Sequence, residues 1–362
     1  MADDGYRLAW KPDWHQARRA MADWWDGRGL ALWVTAPKDR PWEDIPEPDP
    51  NADLATRWLD PAYRVQREAA RHSRTFFGGV AFPMYKTNTG PGSLGLFLGA
   101  HGELAESTIW YHPCIDDPDT YPPLRFDPAN IWWQRHLAII DAGLREARGR
   151  WLVGYPDLIE NLDTLAQLRG PQQTLMDLIE RPDWVKQKLA EINRAFFEVY
   201  DLLWPRLGDP VGGSGFCAFN LWGPGKTAKV QCDFCCMISP EMFREFVLPP
   251  LAEQCQWLDF AMFHLDGTQA LPQLPNLLSI EGLQAIEWTP QAGIPRGGDP
   301  TWYDLYRQIR RAGKGVQAIE VAPHEVLPLI DAVGPEGLFI TTEAGTEDEA
   351  RRLLEQVGWK ES

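Results

Sequence analysis

Near its C-terminus the chain carries four apolar runs that each end in an acid: AMFHLD at Asp266, LQAIE at Glu287, VQAIE at Glu320 and LFITTE at Glu343. His264 and Asp266 stand two apart, and on a strand residues two apart share a face. An imidazole and a carboxylate on one face make half of a metal site. Glu287 ends the next run and Glu343 the last, so both are candidate ligands or bases. A bound divalent ion would polarise a substrate oxygen or activate a water. Without a metal, Asp266 and Glu287 are the candidate general acid–base pair.

The elements that must position these groups follow from the pattern. Runs of four to six apolar residues bounded by turn signals read as buried parallel strands. Strands alternating with helical stretches read as βαβ units, whose sites lie at the carboxyl ends of the strands. We therefore expect one (β/α)8 TIM barrel over residues 1–362, with an irregular N-terminal extension over 1–110 that caps one end. Strands are expected at 29–37, 107–113, 151–158, 213–219, 260–265, 284–288, 316–321 and 338–342. Helices are expected at 11–26, 61–77, 127–150, 301–312, 323–333 and 346–357. Pro61 suits a first helical position, because its missing N–H costs nothing there.

Other residues are candidates for holding a substrate. Trp288 follows Glu287, which suggests an acid beside an aromatic plate; Trp222 and Trp110 are the other expected walls. Asn220, Gln231 and Asp233 lie in segments that lead toward the barrel mouth, and Glu320 is a further rim acid. YPDLIENLD places Asp157, Glu160, Asn161 and Asp163 after a strand, to line the pocket or cap the next helix. Cys232 and Cys235 have CxxC spacing, but no second pair completes a zinc ribbon. GPGKT at 223–227 lacks the leading glycine of a phosphate loop, since Asn220 stands there.

A net charge of −16 over 362 residues argues against nucleic acid or an anionic membrane surface as partner. The opening MADDGYRLAW has no apolar core like that of a secretory signal, and no stretch reaches the roughly 18 apolar residues of a membrane span. Six cysteines without such a signal suggest reduced thiols in the cytoplasm. The 18 tryptophans supply core, flat surfaces for a small-molecule ligand, and apolar area for a homodimer contact.

Four segments together resemble the uroporphyrinogen decarboxylase-like superfamily: LDTLAQLRGPQQTLMDLIERPDWV, CDFCCMISPEMFREFVLPPL, FHLDG and AGKGVQAIE. The resemblance covers about residues 150–358 and implies a (β/α)8 barrel. The superfamily includes cobalamin-dependent methyltransferase subunits, in which a His-x-Cys pair, a later Glu and a late Cys hold zinc. By that resemblance His264, Asp266, Glu287 and Glu343 are the metal ligands, with carboxylates where two thiolates would stand. Such a harder set accepts zinc, manganese or iron and binds oxygen donors. The resemblance implies methyl transfer to cobalamin carried by a separate corrinoid protein. The alternative is metal-assisted hydrolysis or lyase chemistry on a sugar-like or aromatic molecule, and a third class is a non-catalytic binding protein. Porphyrinogen decarboxylation is not expected, because GLALWVTAPKDRP lacks the Arg-rich motif of that enzyme.

Overall fold

The computed structural model describes residues 5–360. Its centre is a seven-stranded sheet in the order Thr75–Gly79, Leu30–Pro37, Leu338–Glu343, Gly315–Ala318, Ala285–Thr289, Phe260–Asp266 and Thr227–Gln231. All neighbours pair in parallel except Thr75–Gly79, which runs antiparallel to Leu30–Pro37. The strands are apolar because both sheet faces are covered. Leu265, Ile286, Val316, Leu338 and Ile340 are all fully buried.

The helices between them start and stop where the chain supplies caps. The Thr346 hydroxyl accepts from the Glu349 N–H at the head of Glu347–Gln356, whose first turn holds three acids that favour a helix N-terminus. Asn130 accepts from the N–H groups of Trp132 and Trp133 at the head of Ile131–Ala147.

The register sets a polar row across four parallel strands. Gln231 pairs with His264, His264 with Glu287, and Glu287 with Gln317. Side chains alternate along a strand, so this row faces one way and Leu265, Ile286 and Trp288 face the other. Helix Trp14–Trp25 packs at the amino ends of the same strands. There Trp24 meets Phe339 at 5.1 Å, Trp25 meets Phe260 at 5.2 Å, and the Trp24 indole N–H donates to the Gly337 carbonyl at 3.0 Å. The other end is left for chemistry.

The expected architecture is met in class and corrected in detail. The sheet is α/β and mostly parallel, but its hydrogen bonds do not close into an eight-stranded barrel; they stop at Thr75–Gly79 and Thr227–Gln231. Gly79 has φ 60°, and a Cβ there would sit 2.0 Å from the Leu32 carbonyl oxygen, so the chain bends away as pairing ends. The middle segments pair only briefly. Met84–Tyr85 pairs with Leu152–Val153 in parallel, and Tyr155 bridges Phe216.

Within residues 1–110 the expected cap in fact contributes two strands of the main sheet. The helix expected over 61–77 stops at Ser73, because Thr75–Gly79, with Phe76 and Phe77, pairs with the first strand. The strand expected at 107–113 is the arm Ile109–His112 of an antiparallel hairpin with His101–Leu104. Those expected at 151–158, 213–219 and 316–321 shorten to Leu152–Val153, Ser214–Phe216 and Gly315–Ala318. Among the described residues, no helix is long and apolar enough to cross a membrane.

Candidate functional site

His264 is held from behind. Its Nδ1 lies 2.5 Å from Glu287 Oε2, and Glu287 Oε1 accepts the Thr289 hydroxyl at 2.7 Å. Glu287 is fully buried. Burial alone would lower the His264 pKa, but the Glu287 carboxylate offsets this and the value is raised. Burial raises the Glu287 carboxyl too, with His264 opposing. Because Glu287 occupies Nδ1, the Nε2 side faces forward, 3.9 Å from Asp233 Oδ1.

Asp233 arrives from the turn that follows Thr227–Gln231. Its backbone N–H and that of Phe234 donate to Asp163 at 2.8 Å each, so the first-turn acid of Asn161–Arg169 fixes that turn. Gln231 Nε2 donates to both Asp163 Oδ2 and Asp233 Oδ2 at 2.9 Å. That contact engages one Asp233 oxygen and leaves Oδ1 for the His264 side. Burial and the neighbouring Asp163 push the Asp233 carboxyl up to about 7.

Asp233, His264 and Asp266 each offer a ligand atom, and these atoms lie within 4.8 Å of one another. One imidazole with two carboxylates suits zinc, manganese or iron. The Glu287–His264 contact is the outer-shell carboxylate that metal-bound histidines commonly carry, and it leaves the metal-facing nitrogen free. The residues present therefore fit a divalent ion.

This changes the expected ligand set. Asp233, expected to touch substrate, joins His264 and Asp266. Glu287 stands behind His264, against its Nδ1, and is not among the residues that line the cavity beside it. Glu343 also falls outside the cluster, because its strand lies three places along the sheet from His264; it borders two neighbouring cavities instead.

A cavity of about 420 Å3 opens beside His264, lined also by Lys86, Asn88, Asp157, Phe219, Lys229 and Asp233. The Phe219 ring lies 4.7 Å from the His264 ring. Phe219 and Asn220 hold φ of 56° and 54°, left-handed values costly for non-glycine residues. A second cavity of about 400 Å3 shares Lys86 and includes Asn220 and Glu343. A third, about 610 Å3, shares Glu343 and includes Glu320. Glu320 lies past its strand with φ 53°, 3.9 Å from Arg296 and exposed, away from His264.

None of the three tryptophans walls the cavity beside His264. Trp222 is buried against Trp14 at 5.7 Å and donates to Asp209 at 2.9 Å. Trp288 is buried against Trp302 at 4.9 Å. The period of a strand forces Trp288 to the face opposite Glu287. Trp110 is 61% exposed on the hairpin. Cys232 and Cys235 are buried thiols whose pKa values burial raises, so they do not form a reactive pair.

Lys229 is the residue that the spacing should have disclosed. It lies two before Gln231 and so faces the same interior, where its ammonium sits 2.7 Å from Asp157 Oδ1. Glu160, fully buried nearby, accepts from the Gln231 N–H at 2.7 Å, and burial pushes its carboxyl up to about 8. A scan against protein-family models finds no match for the chain, and a search of curated proteins finds none either.

Proposed function

We propose that this protein is a divalent-metal-dependent enzyme of the uroporphyrinogen decarboxylase-like superfamily that acts on a small, oxygen-bearing molecule. One observation carries the reading: Glu287 holds Nδ1 of a buried His264 while Nε2 faces Asp233 and Asp266. In the same reading the short parallel pieces at Met84–Tyr85 and Leu152–Val153 join the six parallel strands of the main sheet to make a distorted (β/α)8 barrel around the polar row. The position of the cluster at the carboxyl ends of Thr227–Gln231 and Phe260–Asp266 supports it.

The bound ion supplies Lewis acidity toward a substrate oxygen. The protein's own groups do the rest. Glu287 and Thr289 fix the His264 ring, Gln231 and Asp163 fix Asp233, and Phe219 covers one side of the imidazole. With carboxylates in place of thiolates, the site favours an oxygen-linked group over a thiol. Transfer of an oxygen-linked methyl group to a corrinoid on a partner protein is one form of this chemistry. The three adjoining hollows at the mouth support it, because they leave room for a partner's cofactor to approach. Hydrolysis or elimination is the other, supported by the buried Lys229–Asp157 pair that lines the cavity with polar groups. The six unpaired cysteines support a reducing, cytoplasmic setting.

The test mixes the metal-loaded protein with cob(I)alamin and a panel of methoxy compounds, and follows the methylcobalamin absorbance. Its appearance, abolished by a chelator, supports methyl transfer. Chelator-sensitive turnover of an ester or glycoside panel without that absorbance supports hydrolysis or elimination. Turnover that is indifferent to the chelator overturns the metal reading.

A further inference from the structure

The fully buried lysines among the described residues are all compensated. Lys229 pairs with Asp157 at 2.7 Å, Lys188 with Glu191 at 2.9 Å, and Lys11 with Asp13 at 2.9 Å. Lys314 donates to the Ile280 and Leu283 carbonyls at 2.6 and 2.7 Å. Lys86 differs. Its ammonium has no hydrogen bond or ion pair to any described residue, yet it stands where the cavity beside His264 meets the second cavity. Its backbone is fixed. Arg64 donates to the Lys86 and Asn88 carbonyls at 2.8 and 2.9 Å, and the Thr87 hydroxyl donates to Gly154 at 2.8 Å. Lys86 is partly buried, and that burial lowers its pKa.

The second cavity explains what such a charge would meet. Its other cations are already matched: Arg71 pairs with Glu68 at 2.7 Å and Arg74 with Glu47 at 2.8 Å. His72 in the same wall is neutral, since burial holds its pKa down at about 3. Glu343, the carboxylate of this wall, borders the third cavity, whereas Lys86 borders the one beside His264. Trp33, Phe77, Phe82 and Met84 supply the apolar part of the wall, beside the polar Thr35, Thr75 and Asn220.

We propose that Lys86 anchors the oxyanion end of a small ligand, a carboxylate by preference, whose flat apolar body lies against Trp33, Phe77, Phe82 and Met84. A single uncompensated ammonium matches a single negative charge, and a charge-assisted bond in a partly dry cavity is among the stronger polar contacts. This inference stands apart from the metal reading, because it needs neither His264 nor an ion.

Calorimetric titration of the full chain in chelator with benzoate, phenyl phosphate and benzamide tests it. Benzoate should bind, and benzamide, isosteric but neutral, should bind at least about tenfold more weakly. Lys86→Gln should lose benzoate by a similar factor, and Lys86→Arg should retain it. The melting temperature of Lys86→Gln should not fall below that of the wild type, since no partner is stranded. Preference for phenyl phosphate over benzoate keeps the oxyanion site and assigns it to phosphoryl compounds. Benzoate binding no tighter than benzamide, or equal benzoate binding by wild type and Lys86→Gln, overturns the proposal.

Discussion

The two halves of this molecule solve the same packing problem differently. From Thr227 to Glu343 the strands are regular, parallel and in continuous register, and they carry the row Gln231, His264, Glu287 and Gln317. From Met84 to Phe216 the pairing shrinks to strands of two to four residues joined by irregular backbone, with left-handed non-glycine residues at Ile159 and Asn161. The regular half sets the site residues at a fixed spacing. The irregular half brings polar groups to meet them: Asp157 and Glu160 from one loop, Asp163 from the first turn of the helix that follows it, and Lys86 from another segment. Regular pairing gives precision, and irregular backbone gives the reach to place charge opposite it.

The clasp between the halves is the first place to break the comparison. Lys229 comes from the regular half and Asp157 from the irregular one. Lys229→Met should leave Asp157 without a cation and cost about 3–5 kcal/mol of stability in denaturant unfolding. A loss below about 1 kcal/mol would mean that this ion pair does not clasp the halves together.

The next effect separates two tryptophans. Trp288, fully buried on the outer face of the regular half, should cost about 3 kcal/mol or more when changed to alanine. Trp110, 61% exposed on a hairpin of the irregular half, should change stability by no more than about 0.5 kcal/mol. Thermal unfolding of both variants checks the pair, and equal losses would contradict the placement.

The halves should also differ toward acid. In the irregular half His136 is fully buried, with Nδ1 2.9 Å from the Trp132 carbonyl and Nε2 near the Thr89 and Ser93 hydroxyls. Burial holds its pKa down from 6.5 to about 4, and that of His72 to about 3. The unfolded chain therefore takes up protons first as pH falls. This contribution is whole above about pH 6.5 and is lost as pH drops through the folded values. Between pH 7 and 4 the loss from His136 should be roughly 1–3 kcal/mol. His136→Gln should flatten the urea midpoint against pH over that range; an unchanged slope would remove histidine from the account.

How much of this was legible follows the same division. The C-terminal strands announced themselves because buried parallel strands are short apolar runs between helices. His264 and Asp266 were legible from a spacing of two at a strand end. The two-residue strands had no period to read, and Phe76 and Phe77 looked like the tail of a helix until Leu30–Pro37 paired with them. Asp233 sits in a turn whose direction Asp163 sets across 70 residues of sequence, which no local pattern reports. Trp288 was misjudged although alternation already placed it opposite Glu287. Lys86 carried no pattern at all; its meaning lies in the absence of a partner in space.

The smallest expected effect concerns Glu287, which acts through His264. Glu287→Gln keeps its shape and should weaken zinc binding about 10–100-fold, read by competition with a chromogenic chelator. Unchanged affinity would make the Glu287–His264 contact purely structural.

The central claim is that Asp233, His264 and Asp266 hold one divalent ion. Its most direct test is equilibrium dialysis against zinc or manganese, followed by elemental analysis of the wild type and of His264→Ala combined with Asp266→Asn. The account predicts about one ion per wild-type chain and almost none in the double variant. A wild-type chain that retains no ion, or a double variant that retains the same ion, would contradict it.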